Sequence, residues 1–313
     1  METNDNINNS DNADIDLKEF FQVLWSGKWI VVAVTTLFII AAVIYSLSLP
    51  NIYHSRAILS PVGESGGGMS QAMKNMGGLA SLAGVSLSTG EGNSKTFKAI
   101  EKLNTLSFFE NNILPNIFLP DLMAFESWSG ETNNIYDKDI YNDATQTWTR
   151  DYSYPETQIP SSQESFDVFG GDHLQVFRDV DTGFVYITIK HQSPYVAKAW
   201  TELIVNQINY FFRAKSKLET QAAMDYLNVQ MAQTSFSEIK SVIAQLLQQK
   251  MQQFTLIEAS NFYVFDYIDP PAVMENKSEP SRSVICIIGA IIGGLLGSLI
   301  VVIRFYSRHK KLQ

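Results

Sequence analysis

The chain has 313 residues, of which 18% are charged, and its formal net charge at pH 7 is -9. A general nucleic-acid binder needs a positive surface that displaces counterions from phosphates, so this acidic balance argues against that class. The single cysteine, Cys286, excludes an intramolecular disulfide framework and a cysteine-based zinc site. Because the four histidines lie far apart in the sequence, we predict neither a bound metal ion nor a cofactor.

The N-terminal residues 1–28 are predicted to form a head without a core of its own. Residues 1–14 are rich in Asn and Asp and nearly free of apolar side chains, which is typical of disorder. Residues 16–25 (DLKEFFQVLW) carry apolar side chains at helical spacing. This pattern indicates either an amphipathic helix on a membrane surface or a plain extension of the next helix.

Two long uncharged runs, 29–49 and 284–303, predict transmembrane helices. At 1.5 Å per residue the first run would reach about 31 Å, close to the thickness of the hydrocarbon core of a bilayer. A buried core helix is the alternative for either run, but such helices are usually shorter or contain polar positions. A cleaved signal peptide is a further alternative for the first run, which is too long for the apolar part of such a peptide.

The charges that flank the two runs predict their orientation. Basic residues precede the first run at positions 18 and 28, and the tail 304–313 contains basic residues but no acidic one. The positive-inside rule therefore places the head 1–28 and the tail 304–313 in the cytoplasm, and the domain 50–283 outside it. The head carries a net charge of -4 and the tail +4, so the exported domain carries -9. Its position excludes chemistry that uses cytosolic ATP.

Four segments of the exported domain predict strands: 53–60, 174–178, 184–191 and 262–268. The second and third form a predicted hairpin around the turn Asp181-Thr182-Gly183, because apolar residues alternate along the third. The first strand starts shortly after the first membrane run, and the last ends shortly before the second. Both must therefore lie near the membrane, where we expect them to share one sheet.

A long helical arm is predicted over residues 194–261. Ser193 provides an N-cap and Pro194 suits the first helical position. Residues 195–269 contain neither Gly nor Pro and are rich in good helix formers. Ser235 and Glu238 could form a capping box, which would allow a turn near 233–236, but one continuous rod is the open alternative. The predicted fold class is α+β, with two transmembrane helices flanking a membrane-proximal α/β base and a long projecting helical arm.

The remaining segments are less regular. Residues 97–112 have a helical pattern, and the two prolines within 114–121 end it. The stretch 63–92 is rich in Gly, Ser, Ala and Met, which predicts loops around one short helix, and residues 126–165 show no clean period.

Three motifs resemble enzyme sites but lack essential parts. Gly63-Glu-Ser-Gly-Gly67 has the form of a serine nucleophile loop but follows no strand that turns into a helix, so a flexible linker is favoured. The stretch 90–96 misses the phosphate-loop pattern, because Ser94 stands where glycine should precede Lys95. The acidic positions 137, 139 and 143 lack the glycine and the closing glutamate of a calcium loop. Paired carboxylates for glycoside hydrolysis could still meet in space, but nothing favours them. We therefore predict a non-enzymatic protein without catalytic residues.

Glycines recur at every fourth residue of the second membrane run, at Gly289, Gly293 and Gly297, with Gly294 and Ser298 beside them. Small residues at this spacing let another helix approach closely in lipid. The partner helix could belong to the same chain, to another copy or to another membrane protein, and simple tolerance of glycine is the alternative reading. Cys286 lies one turn earlier and is expected to be a small apolar residue there.

The order of these segments resembles that of the Wzz-type polysaccharide co-polymerases, the chain-length determinants of O-antigen and related bacterial glycans. The resemblance covers nearly the whole chain. It rests on the two terminal runs, the hairpin that leads into residues 193–200 (SPYVAKAW), residues 206–209 (NQIN), the long helix, the segment from 269–272 (DPPA) to 280–282 (PSR), and the glycine-rich second run.

The resemblance implies a ring-like homo-oligomer in the bacterial inner membrane with a periplasmic domain. Such proteins act without catalysis beside a Wzy-type polymerase and the growing polysaccharide. They set the modal length of a lipid-linked polysaccharide, here most simply lipopolysaccharide O-antigen. The resemblance also implies that two segments of this chain match functional segments of the family. They are the proline-rich segment before the second span (Pro270, Pro271, Pro280) and the glycine face of that span (Gly289, Gly293, Gly297).

Two other functions remain open at this point. A related branch of the family has a cytoplasmic tyrosine-kinase domain after the second span, whereas only the tail 304–313 follows here, so the kinase-free branch is expected. The alternative function is a capsule or exopolysaccharide export adaptor that works with a separate cytoplasmic tyrosine kinase. A membrane-anchored glycan-modifying enzyme is the third reading, disfavoured because no catalytic constellation is visible.

Overall fold

The computed structural model describes residues 25–62, 91–130 and 134–309. The predictions for most of the head, the glycine-rich stretch with its serine motif, and the last tail residues therefore lie outside the described residues. The chain divides into two compact units, one formed by Met1–Pro50 with Glu279–Gln313 and the other by Asn51–Ser278.

The described helices and strands are interspersed along the chain. The helices are α1 Lys28–Ser48, α2 Glu91–Leu103, α3 Leu106–Phe108, α4 Leu119–Met123, α5 Ser162–Val168, α6 Pro194–Gln233, α7 Ser237–Ala259 and α8 Arg282–His309. The strands are β1 Tyr53–Pro61, β2 Phe125–Trp128, β3 Asn134–Tyr136, β4 Tyr141–Asn142, β5 Thr147–Trp148, β6 Leu174–Arg178, β7 Val185–His191 and β8 Phe265–Asp269. Two π-helical turns, Phe109–Ile113 and Phe169–His173, and a 3-10 turn, Leu114–Asn116, complete the set.

The terminal unit consists of α1 and α8. Both helices are long and apolar enough to cross a membrane. They contact each other along their lengths. Mixed helix and sheet with an apolar helix at each end is the predicted fold class, which is confirmed.

The other unit is built on a four-stranded antiparallel sheet in the order β6-β7-β1-β8. Ala57 of β1 pairs with Ile187 of β7, and both are fully buried. The first half of α6 covers this face with Ala197, Trp200 and other buried side chains. The four predicted strands thus share one sheet, as expected from the positions of the first and last strands next to the two apolar runs.

The helical arm is a hairpin, so the rod alternative is excluded. Helix α6 has 40 residues and reaches about 60 Å, and α7 returns along it after a break at residues 234–236. The predicted turn is present but the capping box is wrong, because Phe236 occupies the N-cap of α7 without a side-chain hydrogen bond. Arg213 Nη1 donates to Ser260 O at 3.2 Å, and Lys217 pairs with Glu258 across the two helices.

The helix predicted over residues 97–112 is interrupted. Helix α2 ends at Leu103, and Thr105 starts α3 by accepting a hydrogen bond from Phe108 N at 3.3 Å on its hydroxyl. The same hydroxyl donates to Lys102 O at 2.7 Å, which ends the preceding helix. One threonine that bonds both helix ends explains why the apolar period continues although the helix does not.

A single buried amide joins the end of the hairpin to α6. Asn209, 5% exposed, accepts hydrogen bonds on Oδ1 from the backbone N–H groups of Tyr263, Val264 and Phe265 at 3.0, 2.8 and 3.0 Å. Its Nδ2 donates to Phe265 O and to Val205 O, both at 3.0 Å. The last strand begins at Phe265 and not at the predicted residue 262, directly after two residues whose N–H groups also bond to this side chain.

Replacing Asn209 with alanine should lower the free energy of unfolding by about 3 kcal/mol or more, because three buried N–H groups lose their acceptor. Urea denaturation of the chain in detergent micelles, followed by circular dichroism, would measure the loss. Asn206→Ala is the matched control, since Asn206 is exposed on the same helix, and it should change stability by less than about 0.5 kcal/mol. Equal effects of the two substitutions would contradict the anchoring role of Asn209.

Candidate functional site

The three predicted glycines of α8 face α1 of the same chain. A Cβ atom at Gly289 would lie 2.7 Å from Ala42 Cβ, and one at Gly293 would lie 2.9 Å from Thr35 Cα. At Gly297 it would lie 3.0 Å from Val31 Cα. These distances are shorter than van der Waals contact, so the two backbones approach as closely as only glycine permits. We call this contact the glycine seam.

A fourth glycine extends the seam from the opposite helix. A Cβ atom at Gly27, just before α1, would lie 2.6 Å from Cγ2 of Val301, which is 5% exposed. Sequence analysis missed Gly27 because it is not part of a repeat on its own helix. Gly294, by contrast, has room, since the nearest atom to an added Cβ would be Thr35 Oγ1 at 3.9 Å.

The outer surface of α8 is apolar. Its exposed side chains include Ile287, Ile288, Ile291, Ile292, Leu295, Leu299 and Ile303. The seam uses one face of the helix, and this second face suits lipid or another apolar helix.

The predicted proline-rich segment is divided between the two units. Pro270 is exposed and Pro271 is buried, and both follow β8 in the sheet unit. There, Ser55 Oγ donates to Ala272 O at 3.1 Å, and Ser278 N donates to Ile52 O at 2.8 Å. The segment is thereby fastened to the start of β1. Pro280 lies in the terminal unit, ahead of α8.

Two histidines that are distant in sequence meet in the sheet unit. The ring centroids of His173 and His191 lie 5.5 Å apart, and both rings contact Trp200. His191 Nε2 lies 3.0 Å from Asp121 O, and Nδ1 accepts a hydrogen bond from Ser193 N at 2.9 Å. Ser193 is the N-cap residue of α6, as predicted, but its side chain makes no cap bond. Only pairing of β6 with β7 brings the histidines together, so no sequence pattern could reveal them.

Asp121 organises the short strands beside this pair. Its Oδ1 accepts hydrogen bonds from Tyr136 Oη at 2.7 Å and Asn134 Nδ2 at 3.0 Å. Burial raises the pKa of Asp121, and burial together with the nearby carboxylate raises the pKa of Tyr136. The predicted acidic loop is a turn, in which Asp139 N donates to Asp137 Oδ1 at 2.9 Å. In the part of the chain that the structure describes, no three His, Cys, Asp or Glu side chains are grouped to hold a metal ion.

Arg150 fixes a surface loop that sequence analysis left undefined. Its guanidinium pairs with Glu164 and also donates to Thr157 O at 2.6 Å and Gln158 O at 3.1 Å. The hydrogen bond from Arg150 lowers the pKa of Glu164, so the pair is ionised at neutral pH. The loop holds Tyr154 almost fully in solvent, at 96% exposure.

These features define a class of protein: an α+β domain between two apolar helices that are able to span a membrane. Residues 13–106 match the sequence family Wzz, described as chain length determinant protein. This match confirms the resemblance predicted from the sequence. No curated protein sequence matches the chain.

Two solved structures show similarity to the chain. A full-length bacterial polysaccharide co-polymerase has 13% sequence identity and a TM-score of 0.40, over 94% of this chain and 98% of the other. A fragment of WzzB, a polysaccharide co-polymerase from Salmonella Typhimurium, has 11% identity and a TM-score of 0.30, over 73% of this chain and 100% of the other. Both TM-scores are too low to assign a shared fold.

Substituting alanine for Gly293 should weaken the α1–α8 contact by about 1–3 kcal/mol, because the added methyl group would overlap the backbone at Thr35. Alanine at Gly294 meets ordinary spacing and should be neutral or slightly stabilising, since alanine favours the helix. The strength of the α1–α8 contact in both variants would be measured by fluorescence energy transfer between dyes at the two chain ends, during titration with SDS in mixed micelles. Similar losses for the two variants would show that the seam does not control the contact.

Proposed function

We propose that the protein is a Wzz-type polysaccharide co-polymerase that sets the modal chain length of a lipid-linked surface polysaccharide without catalysing a reaction. The observation that carries this proposal is the match of residues 13–106 to the chain length determinant family. Two apolar helices at the ends of an α+β domain support it, because such a chain can hold one large domain at a membrane surface.

The proposed location is the bacterial inner membrane, with both termini in the cytoplasm and residues 50–283 in the periplasm. The support is the concentration of basic residues in the tail 304–313, which contains no acidic residue. The proposed glycan is lipopolysaccharide O-antigen, and the proposed partner is a Wzy-type polymerase, which could use the apolar outer face of α8.

Self-association is supported by the surface of the hairpin. Large apolar side chains are exposed on α6, on α7 and at the turn between them: Leu218, Tyr226, Val229, Phe236, Ile239, Val242 and Met251. Phe236 and Tyr226 are 67% and 64% exposed. Apolar surface on this scale in water favours contact with a protein partner. We assign that partner as further copies of the chain, so that hairpins pack side by side in a homo-oligomer.

The glycine seam and the proline-rich segment take structural roles in this proposal. The seam holds α1 and α8 as one unit, so both ends of the exported domain are anchored together. Pro270 and Pro271 lead out of the last strand along β1, and Pro280 precedes α8. No residue acts as a catalyst, and the protein regulates through its shape and its contacts.

Deletion of the gene should change the banding of lipopolysaccharide on a silver-stained gel. We expect a clustered ladder in the parent and in the complemented strain, and a random, short-biased ladder in the deletion strain. An unchanged ladder would contradict control of O-antigen and point to another polymer, such as capsule.

Charged substitution on the hairpin should disrupt the oligomer. Val242→Glu with Phe236→Glu is expected to reduce the mass of the complex measured in native membranes, because two carboxylates would be buried in the contact between copies. Val180→Glu is the matched control, since Val180 is 92% exposed in the β6–β7 turn. A wild-type chain that is only monomeric would remove the homo-oligomer from the proposal.

A further inference from the structure

The contacts of His191 join three parts of the sheet unit. Its ring stacks edge-to-face on Phe125 of β2 at 4.4 Å and on Trp200 of α6 at 5.2 Å, and its Nε2 reaches the backbone carbonyl of Asp121 in α4. The residue itself ends β7 and is 2% exposed. It therefore connects residues 119–128, which comprise α4 and β2, to the sheet and to the start of α6.

The hydrogen bonds fix the protonation state of the ring. Nδ1 accepts the N–H of Ser193, so it carries no proton, and the proton lies on Nε2, which donates to Asp121 O. A second proton could enter only at Nδ1, where it would oppose the N–H of Ser193. The His173 ring stands 5.5 Å away and its Nδ1 donates to Lys190 O at 2.6 Å, so two charged rings would also repel each other.

We propose that His173 and His191 form an acid-sensitive latch that holds residues 119–128 against β7 and α6 at neutral pH and opens more readily in mildly acidic solution. This inference does not depend on the proposed function, since it follows from contacts inside the sheet unit. Its consequence is local, because the aromatic contacts of the pair come from Phe125 of β2 and from Trp200 in the first two turns of α6.

The titratable groups around the pair come from several elements. Asp121 of α4 turns its carboxylate to Tyr136 and Asn134, Tyr53 of β1 pairs opposite His191, Asp172 stands beside His173, and Lys190 of β7 offers its carbonyl. Trp200 is the contact from α6 and carries no charge. The charged neighbour that acts on His191 is His173, and it disfavours the proton.

The direction of the pH effect follows from these groups. Burial lowers the pKa of His191 to about 4 and also lowers the pKa of His173. A released His191 would have an ordinary pKa of about 6.5, so the open form binds the proton more readily and is favoured as pH falls below that value. From pH 7 to pH 5 the open-to-closed ratio should rise about 20-fold from His191 alone.

Protonation of the neighbouring carboxyl groups does not open the latch between pH 7 and pH 5. Burial raises the pKa of Asp121, so its protonation favours the closed arrangement in acid and opposes the release. The pKa of Glu164 is lowered, so its ion pair with Arg150 is lost only below the usual range of a glutamate, which pH 5 avoids.

Hydrogen exchange of the full chain in detergent micelles, read by mass spectrometry as protection factors, would test the latch. We expect peptides within 119–128 to lose about 20-fold protection between pH 7 and pH 5, while peptides of α7 stay unchanged. A loss of equal size throughout the sheet unit, or no loss in 119–128, would overturn the proposal.

Substitutions of the histidines test whether they cause the loss of protection in acid. His191→Gln keeps a donor near Asp121 O but cannot titrate, so the loss between pH 7 and pH 5 should fall below about threefold. If that variant does not fold, His173→Gln serves instead, because removal of the repelling charge should reduce the loss. His54→Gln on β1 is the matched control and should behave as wild type. Persistence of the full loss in both pair variants would refute the latch.

Discussion

The sheet unit depends on the way in which the chain returns from the hairpin. Between Asn209 of α6 and Phe265 of β8 the chain leaves the sheet for more than 50 residues, and it must rejoin β1 in register. Asn209 provides the joint, because one carbonyl oxygen binds three successive N–H groups just as the strand begins. The buried amide also donates to Phe265 O, so all its strong hydrogen-bonding groups have partners within the protein. A change in the position of α6 would therefore move the edge strand with it.

The terminal unit is controlled by a different constraint, which is steric. Two apolar helices in lipid gain little from burial against each other, so the distance between their backbones decides how well they pack. Gly289, Gly293 and Gly297 remove the side chains that would separate α8 from α1, and Gly27 does the same from the other helix. In the sheet unit, hydrogen bonds determine how α6 meets β8. In the terminal unit, the absence of side chains determines how closely α1 and α8 pack.

The polar cluster of His173, His191 and Asp121 shows how a structural element can carry a second property. The ring of His191 is satisfied on both nitrogens by backbone groups, which makes it a sound core residue at neutral pH. The same two bonds leave no place for another proton. The same two hydrogen bonds thus stabilise neutral His191 and make it sensitive to acid, since a ring that is fully hydrogen-bonded when neutral loses a partner when it is protonated.

The sequence by itself determined the local features of this protein. Apolar runs, alternation and the absence of Gly and Pro predicted the two terminal helices, the four strands of the sheet and the long arm, because these patterns follow from backbone periodicity. The four-residue repeat predicted a glycine face on α8 for the same reason. Only the tertiary structure decided the partner of that face, the hairpin form of the arm, the break at Thr105 and the meeting of the two histidines. Each of these depends on contacts between residues that are far apart in the chain, or on a side chain that competes with the backbone for hydrogen bonds, and periodicity records neither.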